Sequence, residues 1–71
     1  MSERRPFDLL NELLDNSILI KLKEGEEITG VLYAFDAHMN LVIEDAKQGD
    51  KSIGKLLVRG DSIIFISNRE K

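Results

Sequence analysis

The 71-residue chain has no cysteine and no tryptophan, and only one proline, one histidine and one tyrosine. The missing cysteines exclude disulfides, thiolate zinc sites and cysteine nucleophiles together, and a single histidine leaves little from which to build another metal site. Long hydrophobic runs are also missing. The longest unbroken apolar stretch is Val31 to Phe35, far short of the about 20 residues that cross a bilayer as a helix. The opening Met1-Ser2-Glu3-Arg4-Arg5-Pro6 has no apolar signal core behind it, so a soluble, cytoplasmic protein without a membrane partner is expected. Positive charge is the last scarcity. With 10 basic against 13 acidic residues the net charge is −3, which excludes a basic protein that neutralises phosphates regardless of sequence. Any nucleic-acid binding has to be local and specific. A chain this short buries only about 60% of the surface its unfolded form exposes, and with no covalent or metal staple in sight oligomerisation remains as the stabilising device.

What is present divides into a short helix and five strands. Pro6 sits where a first helical residue would, Asp8 falls in the first turn, and Phe7, Leu10 and Leu14 recur at helical spacing with Leu9 and Leu13 widening the stripe. One amphipathic helix over 6–15 is predicted, with Asn16 as its left-handed stop. From Ser17 the period becomes two: Ile18, Ile20 and Leu22 alternate with Leu19, Lys21 and Lys23. Glu24-Gly25-Glu26 marks a turn, and 28–36 forms a second strand that Gly30 allows to bend sharply. A third strand covers 39–46, with Leu41 and Ile43 on one face and Val42 and Glu44 on the other. Residues 47–51 read as a polar turn, 53–58 as a fourth strand, and 62–67 as a fifth after the very short Arg59-Gly60-Asp61 connection. The expected fold is mainly β: an N-terminal helix followed by a small, strongly bent, five-stranded antiparallel sheet or barrel. Residues 1–5 form a flexible arm, 6–68 one domain, and 69–71 a tail.

The last two strands carry more apolar surface than they need. Ile63-Ile64-Phe65-Ile66 is apolar on both faces, and Leu56-Leu57-Val58 has the same excess, although an edge strand facing water should alternate or carry a charge. Either these strands are central in one barrel, or their edges pair between copies. In the second case the contact is head-to-tail and closes into a ring or grows into a fibre.

Catalytic chemistry finds few parts. His38 has Asp36 nearby, but nothing fixes any of the five serines beside it, and the glycines are too dispersed to cradle a phosphate. No catalytic residue, metal or cofactor is assigned. Arg59-Gly60-Asp61 matches a cell-adhesion tripeptide, a chance match in a cysteine-free chain. The set with physical logic is His38, Asn40 and Arg59. An imidazole and a guanidinium are flat and can sandwich a base, while a side-chain amide offers donors and an acceptor to a base edge. All three fall at strand-end turns, although each alone also reads as an ordinary turn residue.

At this point two segments resemble a known family. Leu22-Lys23-Glu24-Gly25-Glu26-Glu27-Ile28-Thr29-Gly30-Val31-Leu32, continuing to Phe35-Asp36-Ala37-His38-Met39-Asn40-Leu41-Val42-Ile43, resembles the first Sm motif, and Leu57-Val58-Arg59-Gly60-Asp61-Ser62-Ile63-Ile64-Phe65-Ile66 the second. With the helix around Phe7 the resemblance to the Sm and Sm-like (LSm) family, archaeal type, covers nearly the whole chain. It implies a ring, made by pairing the fourth strand of one subunit with the fifth of the next, that binds U-rich single-stranded RNA at its pore as a scaffold or chaperone in RNA metabolism. By the same resemblance His38 and Arg59 would stack on uracil, Asn40 would bond its edge, Asp61 would orient Asn40, Gly60 would let the loop backbone approach, and Asp36 would hold the loop. Arg59-Gly60 stands where the bacterial Hfq branch carries a Lys-His pair, which favours seven subunits over six. Ser62 departs from the Asn frequent at its position. Arg4 and Tyr33 are candidates for a second, outer RNA contact, with packing beneath the helix as the other reading of Tyr33. The alternative function, to which the acidic balance points, is a hetero-oligomeric or protein-interaction module of a ribonucleoprotein complex with little RNA binding of its own.

Overall fold

The computed structural model describes residues 5–69. Helix α1 spans Pro6–Leu13. The carboxylate of Asp8 accepts the Arg5 backbone N–H at 2.9 Å, satisfying one donor that a helix start leaves free. The helix ends earlier than its apolar spacing suggests. Leu14 is already extended, and the left-handed residue is Asp15, φ 66°, not Asn16. The Asn16 amide instead donates to the carbonyls of Glu12 and Leu14, both at 3.0 Å, so this side chain closes the helix while Asp15 supplies the reversal. Two backbone bonds then tie the turn to the sheet, Asp15 N–H to Leu32 C=O and Leu32 N–H to Asn16 C=O.

Five strands follow: β1 Ser17–Leu22, β2 Glu27–Phe35, β3 Leu41–Gln48, β4 Lys51–Val58 and β5 Ile63–Asn68, with a 3-10 turn at Gly60–Ser62 before the last. They form one antiparallel sheet in the order β4-β3-β2-β1-β5. The β3–β4 hairpin is longer than its apolar residues indicate, because Gln48 pairs with Lys51 and only Gly49 and Asp50 remain as the turn. Backbone pairing in a solvent-facing hairpin does not require apolar side chains. Conversely, Met39 lies outside β3, held in a left-handed turn at φ 68°.

The sheet bends because strands carry extra residues. At Gly30 an added Cβ would collide with the Ile43 side chain and come within 2.9 Å of the Glu44 carbonyl oxygen, so β2 and β3 cross closer than any side chain permits. On the opposite strand Asp45 bulges with φ 53°, where the pairing of both β2 and β4 with β3 shifts register. A second shift lies between Leu32 and Ala34. It reverses the alternation along β2, so that Leu32 faces Ile43 and Phe35, three residues on, faces Leu41. Phe35 thereby reaches Phe7 of the helix edge-on, at 4.9 Å between ring centroids.

The core formed on the concave side is aliphatic: Leu10 and Leu13 from α1, Ile18 and Ile20 from β1, Ile28 and Leu32 from β2, Leu41, Ile43 and Ala46 from β3, and Val58 from β4. No polar side chain is buried among the described residues. β4 and β5 are the two ends of the sheet and do not pair with each other, which removes the reading in which both are central. Ile63 and Ile66 pack on the core, while Leu57 is 63% exposed, Ile64 57% and Phe65 47%.

Candidate nucleic-acid interface

Strand register brings the candidate residues together. Leu41 at the start of β3 pairs with Val58 at the end of β4, so Asn40 and Arg59 are the neighbouring residues where the two strands meet their loops. The β2–β3 loop is built on Asp36. Its Oδ1 accepts the backbone N–H of His38 at 2.9 Å and of Asn40 at 3.0 Å, and its Oδ2 accepts the Asn40 side-chain amide at 3.1 Å. Backbone bonds from Asp36 N–H to Asn40 C=O and from Met39 N–H to Asp36 C=O complete the turn. The donors that converge on it, first the Asn40 backbone N–H and then the Asn40 side-chain amide, hold the Asp36 carboxyl below the usual value for an aspartate.

The second loop locks onto the first through Asn40. The Gly60 backbone N–H donates to Asn40 Oδ1 at 2.9 Å in a partly buried contact. A side chain at Gly60 would strike the His38 carbonyl oxygen and lie 2.9 Å from Met39 Cβ, so only glycine permits this approach. Asp61 does not reach Asn40. The Asn40 amide is engaged by Asp36 and Gly60, and the Asp61 carboxylate faces Arg59 instead, at 3.6 Å, with both side chains at least 70% exposed. Asp61 thus neighbours the guanidinium and not the amide, which corrects the orienting role expected for it. An ion pair so open to water contributes only ~0–1 kcal/mol, and Arg59 remains available to a ligand. His38 is fastened through its backbone N–H while its ring faces solvent. The result is one fixed amide with a donor–acceptor edge, carried on the same two loops as the exposed His38 and Arg59, side chains of the flat kind on which a base can stack.

Tyr33 lies elsewhere. It is 54% exposed with the Lys55 ammonium 5.2 Å from its ring centroid, and Lys55 pairs with Glu44 at 3.5 Å. It does not pack beneath α1: it follows the fully buried Leu32, and strand alternation turns it to the opposite face. Arg4 lies outside the described residues. Among the described residues no cluster of three or more histidine or carboxylate groups could hold a metal ion, and no helix is long and apolar enough to cross a membrane.

The model of the LSM domain matches residues 8–68. The chain belongs to this family. Among its relatives is a protein of Methanococcoides burtonii described as snRNP Sm-like, 41% identical over 68 residues that cover 89% of this chain and 94% of the relative. Among solved structures, an Sm protein of Pyrococcus abyssi in complex with a uridine heptamer is 37% identical, with a TM-score of 0.88 over 93% of this chain and 100% of that one. A heptameric archaeal Sm protein is 36% identical, with a TM-score of 0.82 over 87% of this chain and 97% of that one. In this LSM-domain protein both loops lie within the matched residues.

Two site features escape a reading of residue types. Gly60 contributes a hydrogen-bond donor as well as room, and Met39 provides the left-handed step that turns the Asn40 side chain toward the second loop. The first is backbone chemistry that any residue name carries equally. The second falls on a residue type with no preference for positive φ.

Proposed function

We propose that this chain assembles with copies of itself into a closed ring of seven and binds U-rich single-stranded RNA at the pore, as a non-catalytic scaffold or chaperone of RNA metabolism in the cytoplasm. The observation that carries the reading is the Asn40 amide, fixed by Asp36 and Gly60, on the two loops that also carry the exposed His38 and Arg59. A uracil inserted between imidazole and guanidinium would present its edge to that amide. The P. abyssi relative bound to a uridine heptamer supports the ligand class, and the heptameric archaeal relative supports the ring. Within this chain the ring is supported by two sheet ends with exposed Leu57, Ile64 and Phe65, and by an apolar groove between α1 and β5 lined by Pro6, Leu9, Leu13, Ile64 and Phe65. A neighbour's β4 added to β5 would cover that groove. An outer RNA contact at Tyr33, joined by Arg4, belongs to the same proposal and rests on an exposed aromatic ring beside a lysine.

The net charge of −3 repels RNA at a distance, so affinity has to come from stacking and edge recognition and not from the overall field. The salt dependence of binding is accordingly shallow, about one ion per subunit contacted. Purified alone, the chain should give a ring-sized molar mass by light scattering and bind oligo-U well above oligo-C; a monomer, or equal binding of the two, contradicts the proposal. The acidic balance also favours a second reading, a subunit of a hetero-oligomeric ring or a protein-docking module. A stable closed ring formed by this chain alone contradicts it.

A further inference from the structure

The subunit groove and the two loops of the candidate site share residues. Besides α1 and β5, the apolar groove is lined by Met39 and Gly60, and these are the residues at which the loops touch. Gly60 sits so close that a Cβ added to it would come within 2.9 Å of the Met39 Cβ. The Met39 side chain is half-buried and packs against the aliphatic core, so one residue borders the core, the groove and the loop at once.

Met39 also carries backbone strain. Its φ of 68° is a conformation that a long side chain rarely adopts, and a residue keeps it only where the surroundings over-determine it. Within one chain two contacts do so: the Met39 N–H donates to the Asp36 C=O at 3.0 Å, and the side chain rests on the core. A relaxed turn at Met39 would swing the Asn40 amide away from Gly60, whose N–H it accepts at 2.9 Å. An open groove leaves the side chain room for that movement, and a neighbour's β4 laid on β5 takes the room away. Resting on the ring and uracil readings above, we infer that Met39 is a positioning residue that couples subunit pairing to base binding, so that the pocket of a single chain is incomplete until a second copy closes the groove. The neighbour selects the strained turn, and the strained turn aims Asn40. A base that needs Asn40 in that place strengthens the seam by the same factor.

Uridine is the suitable probe, because a neutral nucleoside occupies one pocket, cannot bridge two subunits and does not respond to a charge added at the seam. NMR titrations of the full chain compare the wild type, Met39→Ala and Met39→Leu, each as the ring and with Leu57→Lys added to keep it monomeric. The wild-type ring should bind uridine about 10-fold more tightly than the Leu57→Lys monomer, a usual size for coupling between sites. Met39→Ala, which removes the side chain from the groove, should bring the ring to within about twofold of its own monomer. Met39→Leu, of similar volume, should restore the gap. If Met39→Ala weakens ring and monomer equally and the ratio survives, the residue only supports the loop and the inference is overturned. Equal binding by the wild-type ring and monomer overturns it as well. A wild-type ring that does not bind uridine sinks the uracil reading, a wild type that is itself monomeric sinks the ring reading, and the inference falls with either. Should Leu57→Lys stay assembled or not fold, light scattering on dilution in sub-denaturing urea decides. Saturating uridine should lower the concentration at which wild-type rings fall apart by about fivefold or more, and an unchanged midpoint overturns the coupling.

Discussion

Strands β2 and β3, at the centre of the sheet, bury Leu32, Leu41 and Ile43 completely, whereas β4 and β5 at its two ends leave Leu57, Ile64 and Phe65 between 47% and 63% exposed. Composition does not separate the two regions, since both are built from leucine, isoleucine and phenylalanine. Their position in the strand order does. A central strand is covered by neighbours and the helix, while an outer strand has one free row of backbone groups and one uncovered face. On the proposed ring, apolar side chains at such an edge are core residues whose other half lies in a different chain, and the loops at the sheet's end hold the polar groups that a pore would display. Stability should therefore concentrate in the centre, assembly at the edges, and ligand binding in the loops.

The sharpest way to break this comparison is to exchange its terms. Leu32→Ala should cost about 2–5 kcal/mol in chemical denaturation, a large share of the stability of so small a domain. An equal loss from a surface leucine such as Leu9 would mean that the centre is not privileged. Leu57→Lys places a charge on the proposed subunit contact, where burial without a partner is costly. It should reduce the molar mass in solution to that of a monomer while the far-ultraviolet circular dichroism stays that of the sheet; an unchanged ring would show that Leu57 is not at the contact. In the loops, Arg59→Ala and His38→Ala should each weaken oligo-U binding by ~1–3 kcal/mol, the scale of a lost base stack, with denaturation midpoint and ring mass unaffected.

The helix, the five strands and the bend at Gly30 were legible in the sequence because each leaves a periodic or a missing side chain. Strand ends were not: Lys47, Gln48, Lys51 and Ser52 pair as a polar hairpin whose energy lies in backbone bonds that no residue name reveals. Residue types place the left-handed helix stop at Asn16, one residue late, since Asp15 and Asn16 share the ability to take that conformation and only the tie of Asp15 N–H to Leu32 selects between them. In the site, the members of the set were readable from residue type and motif, but their partners were not. Whether Asp61 faces Asn40 or Arg59 depends on the direction of the turn after Gly60, which is a tertiary fact. Phe35 shows the same limit, because the shift that sets it opposite Leu41 and toward Phe7 appears only in the register.

Two smaller effects sharpen the account further. The Asp36 carboxyl titrates below its ordinary value of 3.8. A carboxylate with a depressed folded-state pKa stabilises fully above its unfolded pKa and loses that contribution as the pH falls through the folded one. The part of oligo-U binding that depends on Asp36, read as the difference between wild type and Asp36→Asn, should therefore be flat from neutral pH to about 5 and close only under more acidic conditions. A change centred near neutrality would point to another group. Smallest of all, Lys55→Ala removes a solvent-exposed contact with Tyr33 and Glu44 and should shift stability by no more than about 1 kcal/mol.

The most direct test of the central claim is native mass spectrometry of the chain alone, mixed with equal amounts of a U heptamer and a C heptamer. The account predicts a single closed species of seven subunits carrying the U oligomer and little of the C oligomer. Monomers, an open series of sizes, or a ring loaded equally with both would contradict it.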